Sequence, residues 1–457
     1  MNGQSVLVLG LGRSGVAAAR LLAARGARVI GVDNADNDAL QAEAKSLRAE
    51  GVEVRLREAS LGRVAVELAV LSPGFSPKNV LLREVEAAGV PVVSELELGF
   101  RFCPCPVVAI TGTNGKTTTT ELCAAVLRAG SLRASAAGNI GRAFCDLLVT
   151  PAGQSGSPEV EQLDVVVLEV SSFQLERIEQ FRPRVSVMLN VTPDHLDRYA
   201  SLGDYAAAKE RIFLNQGSSE LAIINADCCN QFGSLKRPNA PRQVMFSAHA
   251  RQPGWEFWLD GTKICGAQDG ELLDMTDTRL RGPHNAENIM ASLAVGAAFK
   301  VALESARQAI QAYCPLPHRC EFVAEIDGVG YINDSKATNL DAVEKALAGF
   351  DRPVVLIAGG RDKGFDFSAL NKTLRQKVKL AVLIGETRDK LAASWSSAVR
   401  CAKAGSLDEA VRLARQNAQS GEVVLLSPAC SSFDMFKNYE DRGEQFKQTV
   451  RTLASGQ

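Results

Sequence analysis

A buried β-run, Val108-Ala109-Ile110, feeds straight into Thr111-Gly112-Thr113-Asn114-Gly115-Lys116-Thr117-Thr118-Thr119, and no other stretch of the 457 residues restricts the fold as strongly. A strand that ends in a Gly-rich turn and reopens as a helix aims several backbone N–H groups and the positive end of a helix dipole at one point. Such a point holds phosphate. Lys116 is placed to meet the β- and γ-phosphates of a nucleotide, and the Thr117 hydroxyl to ligate Mg²⁺. The spacing departs from the Walker pattern, whose first glycine would fall at Ile110, which leaves a plain two-glycine loop before a helix as the lesser alternative.

A chain of this length divides into two to four domains at roughly 100–200 residues each. Lys plus Arg number 51 against 52 Asp plus Glu, a net charge of −1, so no overall basic field gathers nucleic acid or a membrane surface. Any phosphate must be held locally. No apolar run approaches about 18 residues, and Asn2-Gly3-Gln4 leads directly into a strand, so neither membrane insertion nor a signal peptide is expected and a cytoplasmic protein is. The 11 cysteines include no CxxC pair, and Cys103/Cys105 and Cys228/Cys229 have the wrong spacing for zinc. They are expected to be reduced, mostly buried small hydrophobes.

Upstream, the apolar run 5–9 is followed by Gly10-Leu11-Gly12-Arg13-Ser14-Gly15 and an Ala/Leu-rich stretch of helical periodicity to about Arg25, and the next apolar run, 29–32, ends at Asp33. Strand, glycine turn, helix and acid in this order let a dinucleotide-binding fold hold a pyrophosphate and a ribose hydroxyl. Alone, the stretch reads as a nicotinamide-dependent oxidoreductase, although any nucleotide diphosphate can use the same turn and acid. A further strand, 68–71, runs into Ser72-Pro73-Gly74 at the same sheet edge, either a ligand loop or a tight turn.

The Cys/Pro-rich stretch 100–106 sets a domain boundary near residue 99, and the polar Gly/Pro/Ser-rich stretch 150–162 reads as a surface loop. Residues 165–170 form an apolar strand interrupted by Glu169, a charge costly to bury unless paired. That points to a metal-linked role, with a strand-end surface carboxylate as the alternative. After the strand 185–191, His195 can ligate a metal or orient a water, or can sit in solvent, and Lys209 on its Ala-rich helix looks like a surface lysine. Short β-type runs, 221–225 and 256–259 among them, fill residues 221–280. Asn285 and Asn288, where the helix 289–299 opens, lie one turn apart and can meet a base edge, or Asn285 can cap the helix.

A second boundary falls near Cys314-Pro315-Leu316-Pro317. Beyond it the apolar strands 354–358, 380–384 and 422–426 are each followed by a loop and a helical stretch, and polar clusters at 334–339, 359–364 and 427–433 occupy the sheet edge where ligands bind. The expected class is α/β in three domains: a Rossmann-like domain over 1–98, a central P-loop ATPase-type domain with a small β part over 99–314, and a Rossmann-like doubly wound domain over 315–457.

Eight strings in chain order, AITGTNGKTTT, LEVSSFQLE, LNVTPDHLDRY, AAKERIF, GPHNAEN, LPHRCEF, INDSKATN and SPACSSFDMFKNYEDRGEQF, resemble the ATP-dependent Mur ligases over nearly the whole chain. The C-terminal string is similar to the branch that takes D-glutamate, and the DNPR signature of the diaminopimelate or lysine branch is absent. The phosphate loop also resembles folylpolyglutamate synthase, a family without the N-terminal domain built here on Gly10 to Asp33. The resemblance implies an ATP-dependent amide ligase that adds D-glutamate to UDP-N-acetylmuramoyl-L-alanine through an acyl phosphate, working as a monomer on small molecules. It implies that Gly10, Leu11, Gly12, Arg13, Ser14, Asp33, Ser72, Pro73, Gly74 and Asn139 hold the UDP-linked substrate. Gly112, Thr113, Asn114, Gly115, Lys116, Thr117 and Thr118 would cradle the ATP phosphates, with Asn288, Arg319 and Asp334 at adenine, γ-phosphate and ribose. Thr117, Glu169, His195 and a carbamylated Lys209 would hold two Mg²⁺ ions, and Lys116, Asn139, His195, Lys209 and Arg319 would act at the reacting groups. His195, Thr338, Lys363, Ser432, Phe433 and Tyr439 match the positions that receive D-glutamate; the family often carries Phe at 439. Arg13-Ser14 and Asn34-Ala35 also depart from the residues commonly seen there. The third domain is expected to close over the second during turnover.

Overall fold

Strands buried on both faces read as unbroken apolar runs, and the runs of this chain fold accordingly into three largely parallel sheets. The computed structural model describes the chain apart from residues 63–64, 77, 151–155, 196–197, 250, 315–316 and 456–457. The second expected boundary, at Pro315 and Leu316, and residues 151–155 of the expected surface loop 150–162 therefore lie outside the described residues. The rest of that loop is not all surface, since Val160 in a 3₁₀ turn at Glu159–Gln162 is buried.

The first sheet holds β1 (Ser5–Leu9), β2 (Arg28–Asp33), β3 (Glu53–Leu56), β4 (Leu68–Leu71) and β5 (Val92–Ser94) in the order β3-β2-β1-β4-β5, all parallel. The order reverses at β1, so a crevice opens where β1 and β4 end. Gly10 to Gly12 and Ser72 to Gly74 flank it.

The second sheet holds β6 (Val107–Thr111), β7 (Ala134–Gly138), β8 (Val165–Glu169), β9 (Val185–Met188), β10 (Leu221–Asn225), β11 (Arg242–Ser247), β12 (Phe257–Asp260), β13 (Lys263–Gly266) and β14 (Gly270–Asp274) in the order β14-β13-β12-β11-β10-β9-β6-β8-β7. Only the β12–β13 and β13–β14 pairs are antiparallel, so the small β part continues the main sheet. Glu169 ends β8 and does not interrupt it. The helix that carries Asn285 and Asn288 spans Pro283–Ala298 with Gly282 as its N-cap, which rules out capping by Asn285.

The third sheet holds β15 (Glu321–Ile326), β16 (Val329–Asn333), β17 (Val354–Gly359), β18 (Val378–Ile384), β19 (Cys401–Lys403) and β20 (Val423–Leu426) in the order β15-β16-β20-β17-β18-β19, with β15 the antiparallel edge. The polar clusters after β16, β17 and β20 share its C-terminal edge.

The two seams between domains differ in kind. One apolar cluster runs from the N-terminal domain into the central one, joining Ala17 and Leu21 to Phe144 and Leu147. Helix Glu95–Phe102 crosses residues 98–99 within this seam, and a Cβ on Gly99 would lie 2.5 Å from the Phe144 ring. The buried Glu97 carboxylate accepts from the N–H groups of Glu179, Gln180 and Phe181 at 2.9–3.0 Å. Each large apolar side chain buried in such a seam contributes about 1.5–3 kcal/mol. The central and C-terminal domains meet through polar groups instead: Asn339 donates to Asp194 at 3.1 Å, Asn114 donates to Asp341, and Arg319 reaches Thr117.

The cysteines are all free, but most are only partly buried; Cys123, Cys145, Cys228 and Cys430 are buried.

Candidate active site

Strand β6 delivers its chain into Gly112 to Gly115, where Gly115 takes φ 85° as N-cap of the helix Lys116–Ala129. A Cβ there would fall 2.4 Å from Asn288 Oδ1. Thr119 donates to the same Asn288 oxygen at 3.0 Å, which binds the loop to helix Pro283–Ala298. Lys116 is folded back over the loop, donating to the carbonyls of Gly112 at 3.0 Å and Thr113 at 2.8 Å. Burial lowers its pKa and Arg319 adds to the effect, while Glu169 and Asp194 oppose it.

Glu169 sits 4% exposed at the end of β8, so the surface-carboxylate alternative fails. Its Oε2 accepts the Thr117 hydroxyl at 2.6 Å and its Oε1 the Asn139 amide at 3.0 Å. Lys209 is buried, not the surface lysine its helix suggested: it is 1% exposed, donates to the Gly112 carbonyl at 2.8 Å and lies 4.5 Å above the Tyr205 ring. Burial, then the charge of Lys116, hold its pKa well below the ordinary lysine value.

His195 takes φ 53° and packs its ring 4.9 Å from Phe173. Burial lowers its pKa against the pull of Asp194, and Lys363, Lys116 and Lys209 lower it further. Burial opposes ionisation of Asp194, yet His195, Lys363 and Lys116 hold its carboxyl below the usual range.

From the third domain, Arg319 donates to Thr117, and Asp334 accepts from Ser427 at 2.8 Å and from the Cys320 N–H at 3.1 Å. Burial pushes the Asp334 carboxyl up to about 7. Lys363 stands 3.5 Å from the Thr338 hydroxyl. These groups meet in one cavity of about 650 Å³ between the central and third domains, which takes in Thr113 to Thr118, Asn139, Glu169, His195, Asn288, Arg319, Asp334, Thr338 and Lys363. Gly112, Lys209, Ser432, Phe433 and Tyr439 do not line it. Ser432 is buried, Phe433 is 63% exposed, and the Tyr439 ring lies 3.8 Å from the Lys336 ammonium. Fully buried Arg442 fastens the loops around them, donating to Ser335 and to the Cys430 carbonyl.

The expected UDP site forms a separate group at the β1/β4 crevice. Asp33 accepts from the Leu11 N–H at 2.8 Å and the Ala35 N–H at 2.9 Å, so its carboxylate braces the glycine turn. Asp194, Lys336 and Asn339 all face the large cavity and were given no role from sequence. Their signal is the buried charge in the polar strings PDHLD and DSKATN, which single-residue reasoning treats as solvated.

Among the described residues no three His, Cys, Asp or Glu side chains converge as a ready-made metal cage. Thr117 and Glu169 still form a close hydroxyl–carboxylate pair of hard oxygen donors. Such a pair suits Mg²⁺, which takes few protein ligands and completes its shell with water and phosphate.

The sequence matches the Mur ligase MurD-like N-terminal domain over residues 4–94, the Mur ligase middle domain over 110–296, and the Mur ligase glutamate ligase domain over 318–430. It is 40% identical over 459 residues to a UDP-N-acetylmuramoylalanine–D-glutamate ligase of Pelotomaculum thermopropionicum, with 99% of this chain and 98% of that protein covered. It is 42% identical over 459 residues to the protein of that name from Geobacter metallireducens, covering 100% and 99%. Among solved structures, the UDP-N-acetylmuramate-alanine ligase of Thermotoga maritima has a TM-score of 0.61 at 19% identity over 99% of this chain and all of that one, and MurF of Acinetobacter baumannii a TM-score of 0.60 at 16% identity over 93% and 91%. At such identities the structural likeness speaks for the fold alone. With the sequence matched along its whole length and in all three domains, the chain belongs to the Mur ligase family.

Proposed function

We propose that the chain is an ATP-dependent ligase that joins D-glutamate to UDP-N-acetylmuramoyl-L-alanine, a step in making a peptidoglycan precursor. The observation that carries the reading is the single cavity in which a phosphate loop, a buried hydroxyl–carboxylate pair and two cationic groups of another domain, Arg319 and Lys363, face one another. The relatives that share about 40% of the sequence over its full length bear the name of that reaction. The reaction belongs to the cytoplasm, and the chain works there as a monomer on small molecules.

A carboxylate is a poor electrophile. One oxygen of the alanyl carboxylate attacks the γ-phosphorus of ATP, the bond to ADP breaks, and an acyl phosphate results. The D-glutamate amine then attacks the acyl carbon, loses a proton, and the tetrahedral intermediate collapses by breaking the carbon–oxygen bond to phosphate. The protein contributes mostly position and charge. Lys116 exchanges the Gly112 and Thr113 carbonyls for phosphate oxygens and shares the transferred charge with Arg319. Gly112, Thr113, Asn114, Gly115 and Thr118 offer the phosphates their loop N–H groups. Asn288 meets the adenine edge and Asp334 the ribose. Asn139 orients the alanyl carboxylate. Lys363 and Thr338, with His195, receive D-glutamate from within the cavity, and Ser432, Phe433 and Tyr439, which lie outside it, join them when the third domain closes over the second. Gly10, Leu11, Gly12, Arg13, Ser14, Asp33, Ser72, Pro73 and Gly74 hold the UDP moiety. Thr117, Glu169, His195 and Lys209 would hold two Mg²⁺ ions, whose chemistry is to neutralise the phosphate oxygens. A carbamate forms only on an uncharged amine. Burial and the charge of Lys116 favour the uncharged amine of Lys209; its nitrogen would add to the carbon of carbon dioxide and lose a proton, giving a carboxylate-like ligand.

The test is phosphate release with ATP, Mg²⁺ and UDP-N-acetylmuramoyl-L-alanine, comparing D-glutamate with L-glutamate, L-alanine and L-lysine. Release that depends on D-glutamate is expected. Release confined to another amino acid overturns the assignment.

A further inference from the structure

Arg13 opens the helix Arg13–Ala24, whose first turn contains no acid and whose N-cap, Gly12, gives no side-chain hydrogen bond. A cation at the positive end of a helix is locally unfavourable. Residues that break a local rule in this way tend to answer to function. The exposed guanidinium does not fold back onto its own domain. It crosses to the central domain and donates to the Gly141 carbonyl at 2.6 Å, a charge-assisted bond.

That carbonyl belongs to a small closed turn. The Gly138 N–H donates to the Arg142 carbonyl at 2.8 Å, and Gly138 takes φ 101°, where an added Cβ would lie 2.4 Å from the Glu169 carbonyl oxygen. The turn therefore fits against the end of β8 only with glycine at its base. It presents Asn139, whose N–H donates to the Glu169 carbonyl at 2.9 Å and whose amide donates to Glu169 Oε1 at 3.0 Å. Glu169 in turn accepts from Thr117, and Thr117 receives Arg319. The bonded path thus begins on the glycine turn of the first domain, crosses the second and ends on the third.

We propose that Arg13 is a positioning residue for phosphoryl transfer: by gripping Gly141 from the UDP-binding turn it fixes the Gly138–Arg142 turn that holds Asn139 on Glu169. The proposal rests on the ligase reading given above and adds to it that an arginine of the UDP turn governs the rate of the chemical step. Its role extends beyond affinity for the UDP-linked substrate. The guanidinium has five donors, so it can meet the diphosphate and keep Gly141 at once. Lysine has three donors around one point and can do this only in part.

Steady-state kinetics of the full chain, R13A and R13K with ATP, Mg²⁺, D-glutamate and UDP-N-acetylmuramoyl-L-alanine test the idea, with melting temperatures recorded alongside. R13A is expected to lower kcat about tenfold at saturating UDP-linked substrate, R13K to recover a good part of that loss, and the melting temperature to stay within about 1 °C. A kcat for R13A within twofold of the parent value, whatever happens to KM, overturns the proposal, and so does an R13K variant no faster than R13A. If the unaltered chain makes no product, the ligase reading fails; if it makes product and the R13A kcat is unchanged, only the role of Arg13 fails.

Discussion

Lys209 owes its chemistry to where the fold puts it. On an exposed helix its amine would stay protonated; buried beside Lys116 and over Tyr205, it is held well below the ordinary lysine pKa. Lys209→Ala should cost roughly 100-fold or more in ligation rate, the scale of losing one preorganised charge-stabilising group. Added acetate should restore part of the rate by supplying the missing carboxylate. A variant of unchanged rate would contradict the role. Glu95 offers a second, independent check. It is fully buried, accepts the Cys145 N–H through one oxygen at 2.7 Å, and leaves Oε2 without a hydrogen-bond partner among the described residues. Burial pushes its carboxyl from 4.5 up to about 7. Between those values the folded chain binds more protons than the unfolded one, so stability is intact below the lower value and falls as pH rises through the window, by about 3 kcal/mol in all. Asp334, raised in the same direction, adds its own share. Glu95→Gln should therefore shrink the drop in melting temperature between pH 5 and pH 8 without abolishing it. An unaltered slope would show that Glu95 does not titrate there.

At the scale of elements, β6, its loop and the helix Lys116–Ala129 act as one unit, and Gly115 is its hinge point. Gly115→Ala puts a Cβ into a left-handed position, at about 1–2 kcal/mol, and against Asn288 Oδ1. Calorimetry should report a lower melting temperature together with loss of ATP-analogue binding. Retained binding would mean that the loop is not the phosphate cradle. This unit was legible in the sequence because a glycine turn between an apolar run and a helix leaves few conformations open. The parallel strands were legible for a related reason: burial on both faces removes polar residues from the run. Glu169 was placed on its strand, yet its position at the strand end and its bond to Thr117 depend on packing between distant segments. Lys209 was legible only through the family resemblance, since an Ala-rich helix carries no sign of which face is covered. The partial exposure of most cysteines was not legible, because how far one small side chain is covered depends on packing between distant segments.

Over the whole molecule, the contrast between seams sets what can move. A shared apolar core joins the first two domains, whereas the third meets the second through polar groups that exchange readily with water or ligand. The third domain should therefore move as a body against the other two. Small-angle scattering should show a smaller radius of gyration when an ATP analogue and the UDP-linked substrate are added together. An unchanged radius would contradict closure. The central claim is that ATP activates the alanyl carboxylate before D-glutamate attacks, and isotope transfer tests it most directly. With both carboxylate oxygens of UDP-N-acetylmuramoyl-L-alanine labelled with ¹⁸O, the account predicts one labelled oxygen in the released phosphate and the other in the new amide for each product formed; unlabelled phosphate released alongside ligated product would contradict it.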